Sequence, residues 1–351
     1  MKVGVADHVL KKMFADMYAS DKLYWPSPFW KDLNETQIQQ LEAHGLEQFK
    51  RTVNMRYFNW DLKGILAHQL LPVLRNWARD PSLSVLSRTT VGDGGMPGEK
   101  LAFFSALSRP AVSRAYATYV MLLKHYVAKR DPRRLFESIE EPQVGNPLFV
   151  EDRGMRVSQD LCNSIHEFYA ATRGVDLTGE LNVVELGAGY GRLGFVFLNA
   201  IKNCTYTVID IPPALYVSQS YLSTIFPNEK VFAFRPFSSY AEIKDEFEAA
   251  RIRFVAAHQI KLLPDKSADL FLNISSLHEM TMEQIRFYLT EIDRLTRSHF
   301  YTKQWRTSRS VDNGFRIRES EYPVPARWST VYQERHPLQR MFFHALYQLD
   351  K

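Results

Sequence analysis

The chain has 351 residues, with 44 basic against 39 acidic side chains, a formal charge of +5, 45% hydrophobic residues and 24% charged ones. This is the make-up of a folded protein of one large or two ordinary domains, and it excludes a chain dominated by disorder. Two cysteines, Cys162 and Cys204, cannot build a disulfide framework or a four-thiolate zinc site.

The N-terminus places Asp7 and His8 where a signal peptide needs an apolar region. No apolar run reaches the roughly 18 residues of a membrane span. The expectation is a cytoplasmic protein without a membrane span.

In chain order, an aromatic, Pro-rich stretch from Tyr24 to Trp30 precedes a predicted helix over 36–50. Asp61 to Ala78 carries a broad apolar stripe and predicts a second helix, kinked at Pro72. Residues 81–100 are Gly- and Ser-rich and read as a loop. A helical block covers 101–130, interrupted at Pro110, and a polar connection ends at Gly145-Asn146-Pro147. Val157 to Thr172 predicts a helix capped by Ser158.

Strands and helices then alternate. Strands are predicted at 182–186, 206–211, 230–234, 253–257 and 269–274. Helices are predicted at 192–201, 214–225, 240–250 and 281–297. The last strands come from 299–305 and 339–349. Alternation of this kind implies a mostly parallel sheet with helices on both faces. The chain therefore reads as α/β over 151–351, with a helical region over 1–150 that covers an acceptor site.

The most informative segment is Glu185-Leu186-Gly187-Ala188-Gly189-Tyr190-Gly191-Arg192, a strand, a glycine turn and a helix. Dinucleotide folds use G-x-G-x-x-G, and here Arg192 stands where the third glycine belongs. The spacing E-x-G-x-G-x-G is instead that of S-adenosylmethionine (SAM) enzymes. The methionine end of SAM lies at such a loop, where Glu185 suits its positive charge. Asp210 ends the next strand, where a carboxylate can accept both ribose hydroxyls. His258 and Gln259 follow a later strand, placed to stack on and hydrogen-bond adenine, or to form a solvated loop pair. The expected cofactor contacts are Glu185, Gly187, Ala188, Gly189, Asp210, Ile211, His258, Gln259 and Asn273.

With these residues the chain resembles the sugar O-methyltransferase family of SAM-dependent enzymes. The likeness runs through Phe29-Trp30-Lys31-Asp32-Leu33, Gly45 to Lys50, Tyr57-Phe58-Asn59-Trp60 and Gly145-Asn146-Pro147. It continues through Val184 to Arg192, Ile209-Asp210-Ile211-Pro212, Asn273 to Met280, and Phe342 to Tyr347. It implies a Rossmann-like methyltransferase domain, SAM as cofactor, and a sugar acceptor that is free, nucleotide-linked or glycan-attached. Methylation of a non-sugar hydroxyl, as in a polyketide, and a SAM-binding module without catalysis remain the alternatives.

Methyl transfer to a hydroxyl needs alignment and late removal of one proton. His278 follows the strand 269–274 at its crevice end and precedes a predicted helix, whose N-terminus should keep the imidazole neutral. His278 is the candidate base, and Glu279 is its orienting partner or the base itself. The helix start offers two capping boxes, Thr281 with Gln284 and Ser276 with Glu279. No His or Cys cluster suggests a metal, and a magnesium ion held by carboxylates stays open. Arg294, Arg297, Lys303, Arg306, Arg309, Arg316, Arg318 and Arg327 make the C-terminal part basic. They read as a solvated face or as a grip for a phosphorylated acceptor; no nucleic-acid motif accompanies them.

Overall fold

The computed structural model of the protein describes residues 8–53, 69–82, 85, 91–92, 110–309 and 316–349. Tyr57–Trp60 and residues 61–68 of the predicted helix over 61–78 lie outside the described residues, as do most of the glycine-rich loop and 101–109.

The chain divides into two compact units, and the division does not fall at residue 150. One unit comprises Met1–Glu42, Ala170–His336 and Met341–Lys351; the other comprises Ala43–Tyr169 and Pro337–Arg340. The reason is local. The first helices, α1 (His8–Ala19) and α2 (Pro28–His44), bring Asp16 and Asn34 into hydrogen bonds with His258 and Pro212, in segments that follow strands of the α/β part. Helix α2 starts earlier than its apolar spacing suggests and stops at His44, because Gly45 takes a left-handed φ of 71°.

The second unit is helical with a small sheet. Helix α3 (Leu71–Arg79) carries Pro72 in its first turn, where the missing N–H costs nothing. Helix α4 (Pro110–Ala128) buries Tyr116, Val120, Leu123 and Val127. Strands β1 (Val91–Gly92), β2 (Phe149–Asp152) and β3 (Met155–Val157) form an antiparallel sheet. Ser158 caps α5 (Gln159–Ala171), its hydroxyl accepting the Leu161 N–H at 2.9 Å.

The first unit is built on an eight-stranded sheet. Its strands are β4 (Leu181–Leu186), β5 (Cys204–Asp210), β6 (Val231–Phe232), β7 (Ile252–Ala256), β8 (Ala268–Ile274), β9 (Thr296–Trp305), β12 (Ser329–Arg335) and β13 (Phe342–Gln348). A short hairpin of β10 (Thr307–Arg309) and β11 (Arg316–Arg318) stands apart from it. The order is β12-β13-β9-β8-β4-β5-β7-β6, and β13 alone runs opposite to the other seven strands. Successive strands spread from β4 to one side through β5 and to the other through β8 and β9. The switch point therefore lies at β4, and the crevice beyond its carboxyl end is where such sheets hold ligands.

Alternate residues on the strands meet different helices. Val184, Leu186, Ile209, Val255, Phe271 and Phe300 pack with Phe247 of α8 (Lys244–Ala249) and with Ile285, Leu289 and Ile292 of α9 (Met282–Leu295). On the opposite face Tyr206 lies 5.7 Å, ring to ring, from Phe197 of α6 (Arg192–Ala200). Helix α7 (Ala214–Ile225) follows β5, as expected. The fold is α/β and Rossmann-like, with a mostly parallel sheet covered on both faces.

Three expectations need correction. The predicted helix over 240–250 splits into a 3-10 turn, Tyr240–Glu242, and the short α8. Strand β7 ends at Ala256, so His258 and Gln259 sit in a 3-10 segment, Ala257–Leu262. Strand β12 was not expected, since its side chains are exposed and give no alternating apolar pattern.

Candidate active site

Three elements meet at the switch point. The first is the glycine turn after β4. Gly187, Gly189 and Gly191 have φ of 72°, 60° and 83°, values that side chains other than glycine adopt at a cost. A Cβ on Gly187 would lie 2.2 Å from Ser276 Oγ, so this position also needs glycine for space.

The second is Asp210, at the end of β5. It accepts the Gly189 N–H at Oδ2 and the Ile211 N–H at Oδ1, each at 2.8 Å. Burial pushes its carboxyl up to about 7, and the two peptide donors pull the other way. Each oxygen keeps a second lone pair, so the group can accept ribose hydroxyls without giving up either peptide bond.

The third is the segment after β8. Leu277–Glu279 is a single 3-10 turn, and α9 begins only at Met282. The Thr281–Gln284 capping box forms, with both bonds present; Ser276 makes no cap. His278 is therefore not in the first turn of an α-helix. Its imidazole is held neutral by burial, which pushes it down to about 4 against an opposing bond from Gln304, with Lys303 adding to the fall.

The partners of His278 fix its tautomer. Asn273 Oδ1 accepts the Leu277 N–H at 3.2 Å and the Gln304 amide at 2.6 Å. Gln304 Oε1 accepts the His278 peptide N–H at 3.3 Å and lies 2.9 Å from Nδ1. Peptide N–H groups only donate, so they identify the amide oxygens. Nδ1 then carries the proton, and Nε2 presents its lone pair to Glu279 Oε1 at 3.2 Å. Two facing acceptors need one proton between them. Burial holds the Glu279 carboxyl well above the usual range, opposed by the Trp30 indole N–H, which donates to Oε2 at 3.2 Å. Both shifts favour a neutral carboxyl over an imidazolium, so a proton shared by the pair rests on Glu279. Trp305 stacks on the imidazole with ring centroids 4.8 Å apart.

The turn Gly187–Gly189 with buried Ala188, Asp210 and half-buried Ile211 come together as expected, and so do His278 and Glu279. Others do not. Glu185 is buried and accepts the Tyr206 hydroxyl at 2.6 Å, joining β4 to β5. Asn273 is 0% exposed, and its amide donates to Leu186 O while its oxygen holds the turn after β8. Gln259 is buried with both ends on backbone, Ala256 N–H and Arg235 O. His258 Nε2 pairs with Asp16 of α1 at 2.9 Å. Gln259 and Asn273 thus satisfy neighbouring peptides, while Glu185 and His258 are engaged by the side chains of Tyr206 and Asp16.

Gln304 was missed; its only signal is a carboxamide inside the β-rich run His299–Trp305. Four of the basic C-terminal side chains form ion pairs: Arg294 with Asp265 and Glu291, Arg297 with Asp269, Arg306 with Glu319 and Arg327 with Asp293. Among the described residues no cluster of three His, Cys, Asp or Glu could hold a metal ion, and no helix is long and apolar enough to cross a membrane.

No family model matches the chain and no curated protein is similar to it, so the sugar O-methyltransferase resemblance rests on the quoted motifs. Solved structures are similar at a distance. One is the 1,6-didemethyltoxoflavin-N1-methyltransferase of Burkholderia thailandensis, with bound S-adenosylhomocysteine. It is 14% identical, with 76% of this chain and 97% of that chain covered and a TM-score of 0.38. A SAM-dependent methyltransferase from Aquifex aeolicus is 14% identical, over 64% and 98%, with a TM-score of 0.32. A mitomycin 7-O-methyltransferase is 16% identical, over 54% of each chain, with a TM-score of 0.38. These likenesses are too distant to carry an activity or an acceptor over to this chain.

Proposed function

We propose that the protein binds SAM at the Gly187–Gly189 turn and Asp210, and catalyses transfer of its methyl group to a hydroxyl of a sugar. The observation that carries the cofactor reading is the bonding of Asp210 to Gly189 across the switch point. A glycine turn, a buried acid one strand away and free lone pairs on that acid suit a nucleoside with a charged tail. The sugar reading rests on the motif resemblance. A non-sugar hydroxyl is the alternative acceptor.

SAM, when bound, supplies an activated methyl group on a sulfonium. The chain must hold the acceptor and take its proton. The His278–Glu279 pair holds one shared proton besides Nδ1–H, and it can take a second. The proton from the acceptor hydroxyl ends on this pair, leaving an imidazolium beside a neutral carboxyl. Gln304 Oε1 stays on Nδ1–H throughout and keeps the ring oriented.

The test is transfer of labelled methyl from SAM to a panel of sugars, nucleotide-sugars and polyketide alcohols. Labelled sugar product supports the reading. Label only on non-sugar alcohols moves the acceptor class, and SAM binding without product on any acceptor leaves a binding module.

A further inference from the structure

Helix α2 buries Asn34, Gln37 and Leu41, positions that share one face at spacings of three and four. A core-facing stripe is ordinarily apolar, yet two of these three are carboxamides, 4% and 3% exposed. Asn34 Nδ2 donates to Pro212 O at 3.2 Å, while its Oδ1 has no partner. Neither amide atom of Gln37 has one. A buried polar group without a partner costs about 1–3 kcal/mol, so natural chains seldom keep one without a use.

Two contacts place this face. At its start, Trp30 donates to Glu279, after β8. One turn later, Asn34 reaches Pro212, two residues past Asp210 at the end of β5. In the sheet, β4 lies between β8 and β5. Helix α2 therefore crosses the carboxyl edge over the strand that bears the glycine turn. The roughly 6 Å rise from Trp30 to Asn34 is within reach of the roughly 10 Å that two strand spacings span.

The geometry points to α2 as a strap over the cofactor crevice, with Asn34 Oδ1 and the Gln37 carboxamide as binding groups for the nucleoside end of the cofactor. The inference rests on the SAM reading above. Ribose hydroxyls and adenine edges both donate and accept, which matches one free acceptor and one complete amide beside the acid loop.

The experiment measures S-adenosylhomocysteine affinity by calorimetry and ligand-free melting temperature for the parent, Gln37→Leu, Asn34→Leu and Asp210→Ala. Gln37→Leu is expected to melt higher without ligand, because an unpaired amide leaves the interior, and to bind about tenfold or more weakly. Asn34→Leu also loses the bond to Pro212 O, so it is read by affinity alone, with a loss of similar size. Unchanged affinity in both variants, with Asp210→Ala impaired, overturns the strap and leaves the SAM site standing. A parent that binds no S-adenosylhomocysteine overturns both. A lower ligand-free melting temperature for Gln37→Leu makes the amide structural and also overturns the inference.

Discussion

Asp210 Oδ2 accepts the peptide N–H of Gly189 at 2.8 Å, so the acid at the end of β5 holds the glycine turn at the end of β4. The two features that the sequence keeps 21 residues apart form one unit. Its carboxyl, raised to about 7 by burial, is half-protonated near neutrality. Ribose hydroxyls are better accepted by the ionised form, so SAM affinity should rise with pH through about 7. Asp210→Asn should bind more weakly and lose that pH dependence; calorimetry at several pH values reads both.

The same raised value makes a stability prediction of opposite sense. The folded chain keeps the Asp210 proton where the unfolded chain, near the ordinary 3.8, has lost it. Stability from this group is full below about 4 and is lost as pH rises through about 7. The ligand-free parent should therefore lose melting temperature as pH rises from about 4 through 7, while Asp210→Asn, which gives up one of the two peptide N–H acceptors, should melt lower overall but without that part of the pH dependence.

Gly187 should be intolerant of any side chain. Gly187→Ala meets Ser276 Oγ at 2.2 Å and places alanine at a φ of 72°. A left-handed non-glycine residue alone costs roughly 1–3 kcal/mol. Adding Ser276→Gly should recover the steric part and leave the backbone part, which denaturant titration of the single and double variants separates.

His278 and Gln304 give the third test. Ring-nitrogen NMR of the parent should find Nδ1 protonated and Nε2 bare or hydrogen-bonded to a carboxyl proton. Gln304→Leu frees the ring to take the other tautomer, and turnover should fall toward the roughly 10²–10⁴-fold loss of a missing base, with SAM affinity kept. His278 also titrates at about 4 in the fold against an ordinary 6.5. The unfolded chain binds that proton first, so its contribution weakens stability as pH falls from about 6.5 to 4. His278→Phe should flatten that part of the profile.

Glu279 separates stability from activity. Burial holds its carboxyl well above the ordinary carboxylate range, so the unfolded chain loses that proton first and the group weakens the fold as pH rises past that range. Glu279→Gln mimics the neutral acid and should melt no lower than the parent at pH 8. Its turnover should fall, since an amide cannot pass a proton to Nε2. Unchanged turnover would remove Glu279 from the transfer.

Much of the sheet was legible in the sequence because β4, β5 and β8 are short segments rich in apolar and β-branched residues, set between helices with clear stripes. The glycine turn and Asp210 were legible for the same reason: each ends a strand. The intrachain bonds of Glu185, Gln259 and Asn273 were not legible, because polar side chains near strand ends look alike whether they face a ligand or a neighbouring group of the chain. The neutral state of His278 was anticipated, but from a helix terminus; burial beside Trp305 and Phe342 does it instead. Gln304, Asn34 and Gln37 were invisible because their meaning lies in partners, or missing partners, far along the chain.

The central claim is that the turn and Asp210 form a SAM site, and titration of SAM into the parent and Asp210→Ala tests it most directly. The account predicts saturable binding by the parent and a loss of about 10–150-fold in the variant, the equivalent of about 1.5–3 kcal/mol for hydrogen bonds to a charged acceptor. Absence of SAM binding by the folded parent, or equal affinity in both proteins, would contradict it.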